Sequence, residues 1–303
     1  MTKIKADFDS FSSVANLLNL LGTTQNELEQ IIKGGYRHFD KIKDGQARKI
    51  EAPNPQLKLI QQKLLKYLQD RLACPQYCMA GFKGQNNIKN AQKHRFKREV
   101  WTMDIIHYYP NTREKYIRQF FEKNLGVKKE VADILVKLTT HKNHLPTGAP
   151  TSTLLSCFVH QEIFDSIYKK MQSLEIDMTV YIDDITLSTH KHIEHWVIKY
   201  INNALKTHGL HLKKSKTKRY GYKHAVVTGV HISQCGKMTA PFAIGHSVVE
   251  TLKNKGIKNM TMTELRAFIA KISYIQQFKP KNMIVSKNKA IKQLKKLYKG
   301  NNK

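Results

Sequence analysis

Apolar positions recur at helical spacing through most of the chain and alternate in only a few places. Ala15, Leu17, Leu18, Leu20 and Leu21 form an apolar run that stops at Gly22. Thr24 and Glu27 have the spacing of a capping box ahead of Leu28, Ile31 and Ile32, and Gly34-Gly35 closes that segment. Two short helices are therefore predicted before residue 45. A polar stretch from Lys41 to Gln46 leads into Arg48–Pro53, predicted as extended. Pro53 and Pro55 then open a long helix. Its seam is Leu57, Ile60, Leu64, Leu68 and Leu72, with Lys58, Lys63 and Lys66 off it.

Residues 98–109 read as a strand ending at Pro110, and helical patterns follow at 112–124 and 129–140. A turn over His144–Pro150 precedes a helix predicted from Thr151 to Leu174. Met178–Thr189 carries the sharpest local signal, two alternating β-branched runs around Asp183-Asp184, the pattern of a hairpin. A helix near 191–207 and one strand near 225–233 come next. From Lys237 the pattern is helical again, with Leu265, Phe268, Ile269, Ile272 and Ile275 on one face. No internal repeat is visible.

Length and composition narrow the class. The 303 residues suffice for about two domains, and 41% hydrophobic residues can fill their cores. Against 23 Asp+Glu stand 52 Lys+Arg, a formal net charge of +29. Such an excess points to a polyanionic partner, nucleic acid or an anionic membrane. The membrane is disfavoured, since no run of about 18 apolar residues exists and no apolar leader follows Met1-Thr2-Lys3. Cys74, Cys78, Cys157 and Cys235 are too few for a disulfide scaffold, and no second pair completes a zinc site around Cys74 and Cys78. They read as reduced thiols of a cytoplasmic protein. Residues 237–303 hold 15 Lys+Arg against two acidic residues, so the end of the chain is predicted to be a separate basic helical subdomain.

Adjacent aspartates repel each other, and such a pair is ordinarily a solvated turn. Here Asp183-Asp184 follows Tyr181-Ile182 between apolar strands, which puts the pair on a sheet beside a core. A divalent cation would remove the repulsion if a further carboxylate were near. Asp104 ends the segment Val100-Trp101-Thr102-Met103. Alone it reads as a cap or turn residue; beside Asp183 it would complete an oxygen site suited to Mg²⁺. Two such ions about 4 Å apart can activate a hydroxyl and stabilise a leaving pyrophosphate.

Several segments resemble reverse transcriptases. Tyr181-Ile182-Asp183-Asp184 is similar to their Tyr-x-Asp-Asp box, and Met103–Pro110 to their first palm motif. Leu145-Pro146-Thr147-Gly148-Ala149-Pro150-Thr151-Ser152 resembles their Leu-Pro-Gln-Gly-x-Pro-x-Ser box. Gly209-Leu210 with Lys216-Thr217, Arg48-x-Ile-x-x-Pro53 and Gly81-Phe82 fit further motifs in the same order. Asn90-Ala91-Gln92-Lys93-His94 and Val227-Thr228-Gly229 resemble elements of bacterial retron reverse transcriptases.

The resemblance implies an α+β right-hand polymerase fold. Fingers are expected at 1–97, palm at 98–112, a fingers/palm insertion at 113–149, palm at 150–236 and a basic helical thumb at 237–303. It implies Asp104, Asp183 and Asp184 as catalytic metal carboxylates, with the Ile105 carbonyl as an extra ligand, holding two Mg²⁺ or Mn²⁺. Arg48 would clamp the triphosphate, Thr147 and Gly148 would border the incoming nucleotide, and Tyr109 would exclude a 2′-hydroxyl, which makes the product DNA. Lys216 would serve the leaving pyrophosphate. Asn90, His94, Val227, Thr228, Gly229, Lys253, Arg266 and Lys271 are implied as RNA-binding, with Asn90 and His94 equally open to a second role, ordering the fingers.

The implied partners are deoxynucleoside triphosphates, a cognate structured non-coding RNA, its branched multicopy single-stranded DNA (msDNA) product, and a separately encoded effector in anti-phage defence. The sequence departs from the family at Thr147 (usually Gln), His107 (frequently Asp) and Ile182 (usually smaller). The rival readings are a reverse transcriptase of group II intron, diversity-generating or abortive-infection type, and a basic RNA-binding module with an unused metal site.

Overall fold

The N-terminal helices form where their caps stand in the computed structural model, which describes residues 7–43, 46–221 and 224–300. Residues 1–6 and 301–303, at the ends of the expected fingers and thumb, lie outside the described residues. Helix α1 (Val14–Leu21) begins at Ser13, whose hydroxyl accepts from the Asn16 N–H, and stops at Gly22 with φ 62°. Helix α2 (Gln25–Lys33) has both halves of its capping box, Thr24 and Glu27. Strands β1 (Tyr36–Lys43) and β2 (Gln46–Pro53) pair antiparallel as a ribbon. β2 is the predicted extended segment. β1 carries no strand signature because Phe39 and Ile42 stay exposed, so no buried face imposes alternation on it. Asn54 then caps α3 (Pro55–Gln69), and the predicted seam Leu57, Ile60, Leu64, Leu68 and Leu72 is buried.

The next elements are α4 (Asn87–Lys93), β3 (Glu99–Asp104), α5 (Tyr108–Asn111), α6 (Glu114–Gln119) and α7 (Lys129–Thr139). α6 runs on into a π-helical turn, Phe120–Asn124. The strand expected over 98–109 ends early because His107, at φ 47°, turns the chain into α5. The helix expected over 151–174 is two, α8 (Ser152–Val159) and α9 (Gln161–Ser173). They divide at His160, a buried ring hydrogen-bonded to Thr112 and His208.

Strands β4 (Asp177–Tyr181) and β5 (Asp184–Thr189) follow, then α10 (His195–Lys206) and β6 (Lys218–Tyr220). β7 (Ala225–Val227) and β8 (Val230–Ile232) replace the single strand expected at 225–233. Thr228 at φ 46° and Gly229 at φ 83° make the two-residue turn between them, the conformation that matches the twist of a hairpin. β9 (Met238–Thr239) joins β8, and α11 (Phe242–Asn254), α12 (Met262–Gln276) and α13 (Ile284–Gly300) complete the described chain.

The architecture is α+β. The central antiparallel sheet has the order β4-β5-β3-β6. It packs through Met103, Met178, Val180, Ile185 and Leu187 against Ile163, Phe164, Ile167 and Met171 of α9 and Val197, Ile201 and Leu205 of α10. A helical core built on α1, α3, α7 and α8 lies beside it. A separate core of Val248, Met260, Leu265, Phe268, Ile272 and Ile275 belongs to the C-terminal helices. Truncating the fully buried Leu187 to Ala should cost about 2–5 kcal/mol, the range for a large core side chain. All four cysteines are free thiols. No helix among the described residues is long and apolar enough to cross a membrane.

Candidate active site

Strand register brings the aspartates together. β3 pairs with β5 so that Asp104 stands opposite Asp184, and β4 pairs with β5 so that Tyr181 also faces Asp184. The hairpin tip is Ile182-Asp183, one residue earlier than the Asp183-Asp184 centre of the predicted pattern, because Asp184 is already the first residue of β5. Ile182 has φ 61°, a left-handed conformation costing a β-branched residue roughly 1–2 kcal/mol. The Ile105 N–H donates to the Asp183 carbonyl at 2.9 Å, and the Lys213 N–H donates to the Asp104 carbonyl at 2.8 Å. The tip is thus tied to β3 and β3 to the segment before β6.

Lys216, closing the 3₁₀ turn Lys214–Lys216, places Nζ 2.7 Å from Asp104 Oδ1. Burial, and next the Asp104 charge, push the Asp183 carboxyl above the usual carboxylate range. Its own N–H, Lys216 and Arg48 pull it down without cancelling the rise. Arg48 is exposed on β2 and near enough for its charge to be felt at Asp183. The donor set suits a hard divalent cation, which takes oxygen ligands and offsets like-charge repulsion.

Tyr109 follows α5's first residue, half-buried, with its hydroxyl 2.9 Å from Thr153 Oγ1. Burial pushes its phenol up to about 12. Thr153 was not singled out by any sequence motif, since a lone threonine in a helix pattern carries no signal. Gly148 abuts β2: its N–H donates to the Glu51 carbonyl at 3.1 Å, and a Cβ there would come within 2.6 Å of that oxygen. Backbone packing against β2 by itself requires a glycine there. Thr147 beside it is half-buried. A cleft of about 580 Å³ adjoins the hairpin tip, lined by Gln69, Gly81, Phe82, Thr153, Tyr181 and Ile182 among others.

The RNA-binding candidates separate into two groups. Asn90 and His94 are buried. His94 bonds Ser188 Oγ through Nδ1 and Thr179 Oγ1 through Nε2, both at 2.7 Å, and burial pushes it down to about 3. Asn90 donates to Thr228 Oγ1 at 3.2 Å, and Asn87 donates to the Thr228 carbonyl and to the Tyr274 hydroxyl. Val227 is fully buried. These residues therefore join α4 to the β7–β8 turn and to α12, and their polar groups face protein. Of the two roles open to Asn90 and His94, RNA recognition and ordering of the fingers, these internal hydrogen bonds fit the second, and the Val227 side chain is enclosed; of this set Gly229 is exposed and Thr228 half-buried. Lys253 on α11 and Arg266 on α12 are exposed, with Arg266 over the Tyr298 ring, whereas Lys271 is half-buried. Arg266 and Lys271 are five residues apart, about 140° around the helix, and so lie on different faces.

Comparisons with known proteins bear on this site. Residues 40–232 match the family described as "Reverse transcriptase (RNA-dependent DNA polymerase)". The chain is similar to the Retron Se72 reverse transcriptase of Salmonella heidelberg (strain 579083-10), 27% identical over 72% of this chain and 60% of that protein. It is also similar to the Retron Ec86 reverse transcriptase of Escherichia coli, 27% identical over 66% of this chain and 63% of that protein. The Retron Ec48 reverse transcriptase of Escherichia coli is 24% identical over 58% of this chain and 46% of that protein. The chain thus spans less than two thirds of the length of each of these relatives.

Proposed function

The chain belongs to the reverse transcriptase family, and from that premise we propose that it is a retron reverse transcriptase. It binds the structured non-coding RNA of its own locus, primes from an RNA 2′-hydroxyl and copies part of that RNA into branched msDNA. Its setting is anti-phage defence beside a separately encoded effector, in the cytoplasm. The observation that carries this reading is the ladder position of Asp104 opposite Asp184 with Asp183 at the adjoining tip. Similarity to three proteins bearing the name retron reverse transcriptase supports the retron type.

In this reading residues 1–97 and 113–149 serve as fingers, 98–112 and 150–236 as palm, and the basic helices from 237 as thumb. Asp104, Asp183 and Asp184, with the Ile105 carbonyl, hold Mg²⁺ or Mn²⁺. Two ions bound there supply an activated hydroxyl and charge stabilisation for the leaving pyrophosphate. Arg48 clamps the triphosphate, for which a guanidinium fork is suited. Lys216 sits on the site's rim and gives a proton or its charge to the pyrophosphate. Tyr109, anchored by Thr153, sets the sugar preference: its ring closes the space that a 2′-hydroxyl would need. The exposed Lys253 and Arg266 contact the RNA backbone, while the Asn87–Thr228–Tyr274 joint keeps the thumb docked on α4.

The test uses cells carrying this gene with its upstream non-coding region. Nucleic acid is treated with RNase and run on a denaturing gel with and without a debranching enzyme. A discrete single-stranded DNA that shifts on debranching and vanishes with Asp183→Asn is expected. Unbranched DNA would reject the retron type and retain a reverse transcriptase of another kind. An unchanged product with Asp183→Asn would reject the site.

A further inference from the structure

A second polar cluster lies apart from the aspartates, where the β1–β2 ribbon meets the loop after α7. His38 on β1 stands directly opposite Glu51 on β2, so both side chains leave the ribbon on one face. His141 and His144 flank a tight turn in which Lys142 and Asn143 both have positive φ, and the two histidines exchange both backbone hydrogen bonds. That turn brings His141 onto the ribbon. The Nε2 atoms of His38 and His141 are 3.2 Å apart. One ligand atom from each of His38, Glu51 and His141 lies within 4.8 Å of the others. His144 Nε2 is 3.0 Å from Glu51 Oε2, and its Nδ1 is 3.0 Å from the Lys142 carbonyl.

Two imidazole nitrogens bound to one tetrahedral zinc at about 2.0–2.1 Å stand about 3.3 Å apart. The His38–His141 pair is set at nearly that separation. An N–H···N hydrogen bond spans the same distance, but it makes no use of a carboxylate converging on the same point. Two imidazoles and one carboxylate are the donors of borderline first-row ions, whereas Mg²⁺ takes oxygen. A hydrogen-bonded partner on a ligating carboxylate is the usual support of such a site, and His144 supplies one at Glu51 Oε2.

We propose that His38, Glu51 and His141 form a transition-metal site of the zinc class, with His144 positioning Glu51 and a fourth position left to water. The site does not depend on the polymerase reading, because it shares no ligand with the aspartates. Its effect is mechanical. The ribbon exposes Phe39 and Ile42 and has little core of its own. An ion at this joint ties it to the loop that runs into Leu145–Ser152. Glu51 is three residues from Arg48 on the same strand, so the ion also steadies the strand that presents that guanidinium.

The experiment is a zinc titration of the chelator-treated full-length chain in excess Mg²⁺, followed by calorimetry and by melting temperature. It is run in an Asp183→Asn background so that the aspartates contribute least. One zinc per chain and a raised melting temperature are expected. His38→Gln with His141→Gln should remove both, and His144→Gln should weaken binding roughly 10–100-fold. Co²⁺ should give a tetrahedral absorption band that the same double variant loses. His38→Gln alone should also lose zinc binding and should melt like the parent without zinc, since His38 is exposed. Failure to bind zinc stoichiometrically, or binding that survives in the double variant, would overturn the site and leave the polymerase reading untouched.

Discussion

Strands β3 and β5 carry a carboxylate at each end of one ladder, and the two ends treat it oppositely. At one end Glu99, opposite Thr189, accepts from Trp101 Nε1 at 2.6 Å, Arg219 Nε at 2.8 Å and meets His192 Nδ1 at 2.8 Å. Burial pushes its carboxyl up, yet the bonds from Trp101, Arg219 and His192 overcome it and hold Glu99 below its ordinary value. At the other end Asp104 faces Asp184, and Asp183 remains above its ordinary value despite Lys216 and Arg48. The sheet therefore can satisfy a buried carboxylate and does so where the carboxylate is structural. Where Asp104 faces Asp184 beside the Asp183 tip, one carboxylate is left electrostatically disfavoured, and a positive charge there would relieve it.

Asp183→Asn tests the unsatisfied end. Deoxynucleotide incorporation should fall by about 10³-fold or more, since several kcal/mol of transition-state stabilisation are lost. The metal-free protein should melt higher at neutral pH, because a charge that the fold disfavours is gone. A lower melting temperature would break the contrast. Glu99→Gln tests the satisfied end. It should cost about 1.5–3 kcal/mol, the worth of hydrogen bonds to a charged group, in denaturant melts. Incorporation per folded molecule should stay the same, and a catalytic defect would show that the two ends are not separable.

Acid sharpens the contrast further. Burial holds His94 and His160 down to about 3, against an ordinary value of 6.5. Each stays neutral in the fold, so its contribution is whole above 6.5 and is lost as pH falls from 6.5 toward 3. Stability should decline there by up to about 1.4 kcal/mol per pH unit for each ring. His94→Gln should flatten the melting-temperature profile over that window; an unaltered slope would remove His94 from the account. The smallest effect belongs to the surface. Arg266→Ala should lower the log–log salt slope of RNA binding by roughly 0.7–0.9 and leave the melting temperature nearly unchanged, checked by titrations at several salt concentrations.

Much of this was legible in one dimension. Caps are local, so Gly22, the Thr24–Glu27 box and Asn54 could be read directly, and the seam of α3 follows from helical period alone. The aspartate pair was legible because carboxylates seldom interrupt β-branched runs. Val227-Thr228-Gly229, by contrast, was read as part of one strand and turned out to be a hairpin turn, since a threonine at positive φ leaves no compositional trace. The break at His160 was equally silent, because a buried histidine between two helices looks like any polar position on one.

From composition and local pattern alone came the class of partner, the helices and the carboxylate hairpin, since charge and periodicity act over a few residues; the family resemblance came from short motifs matched in order. The fold had to supply everything that depends on register and on distant segments meeting. It set Asp104 opposite Asp184, leaned Gly148 on the Glu51 carbonyl, buried Asn90 and His94, and gathered His38, Glu51 and His141. Those relations join residues up to about a hundred positions apart, and only the packing of strands and loops selects which of many such pairs come within bonding distance.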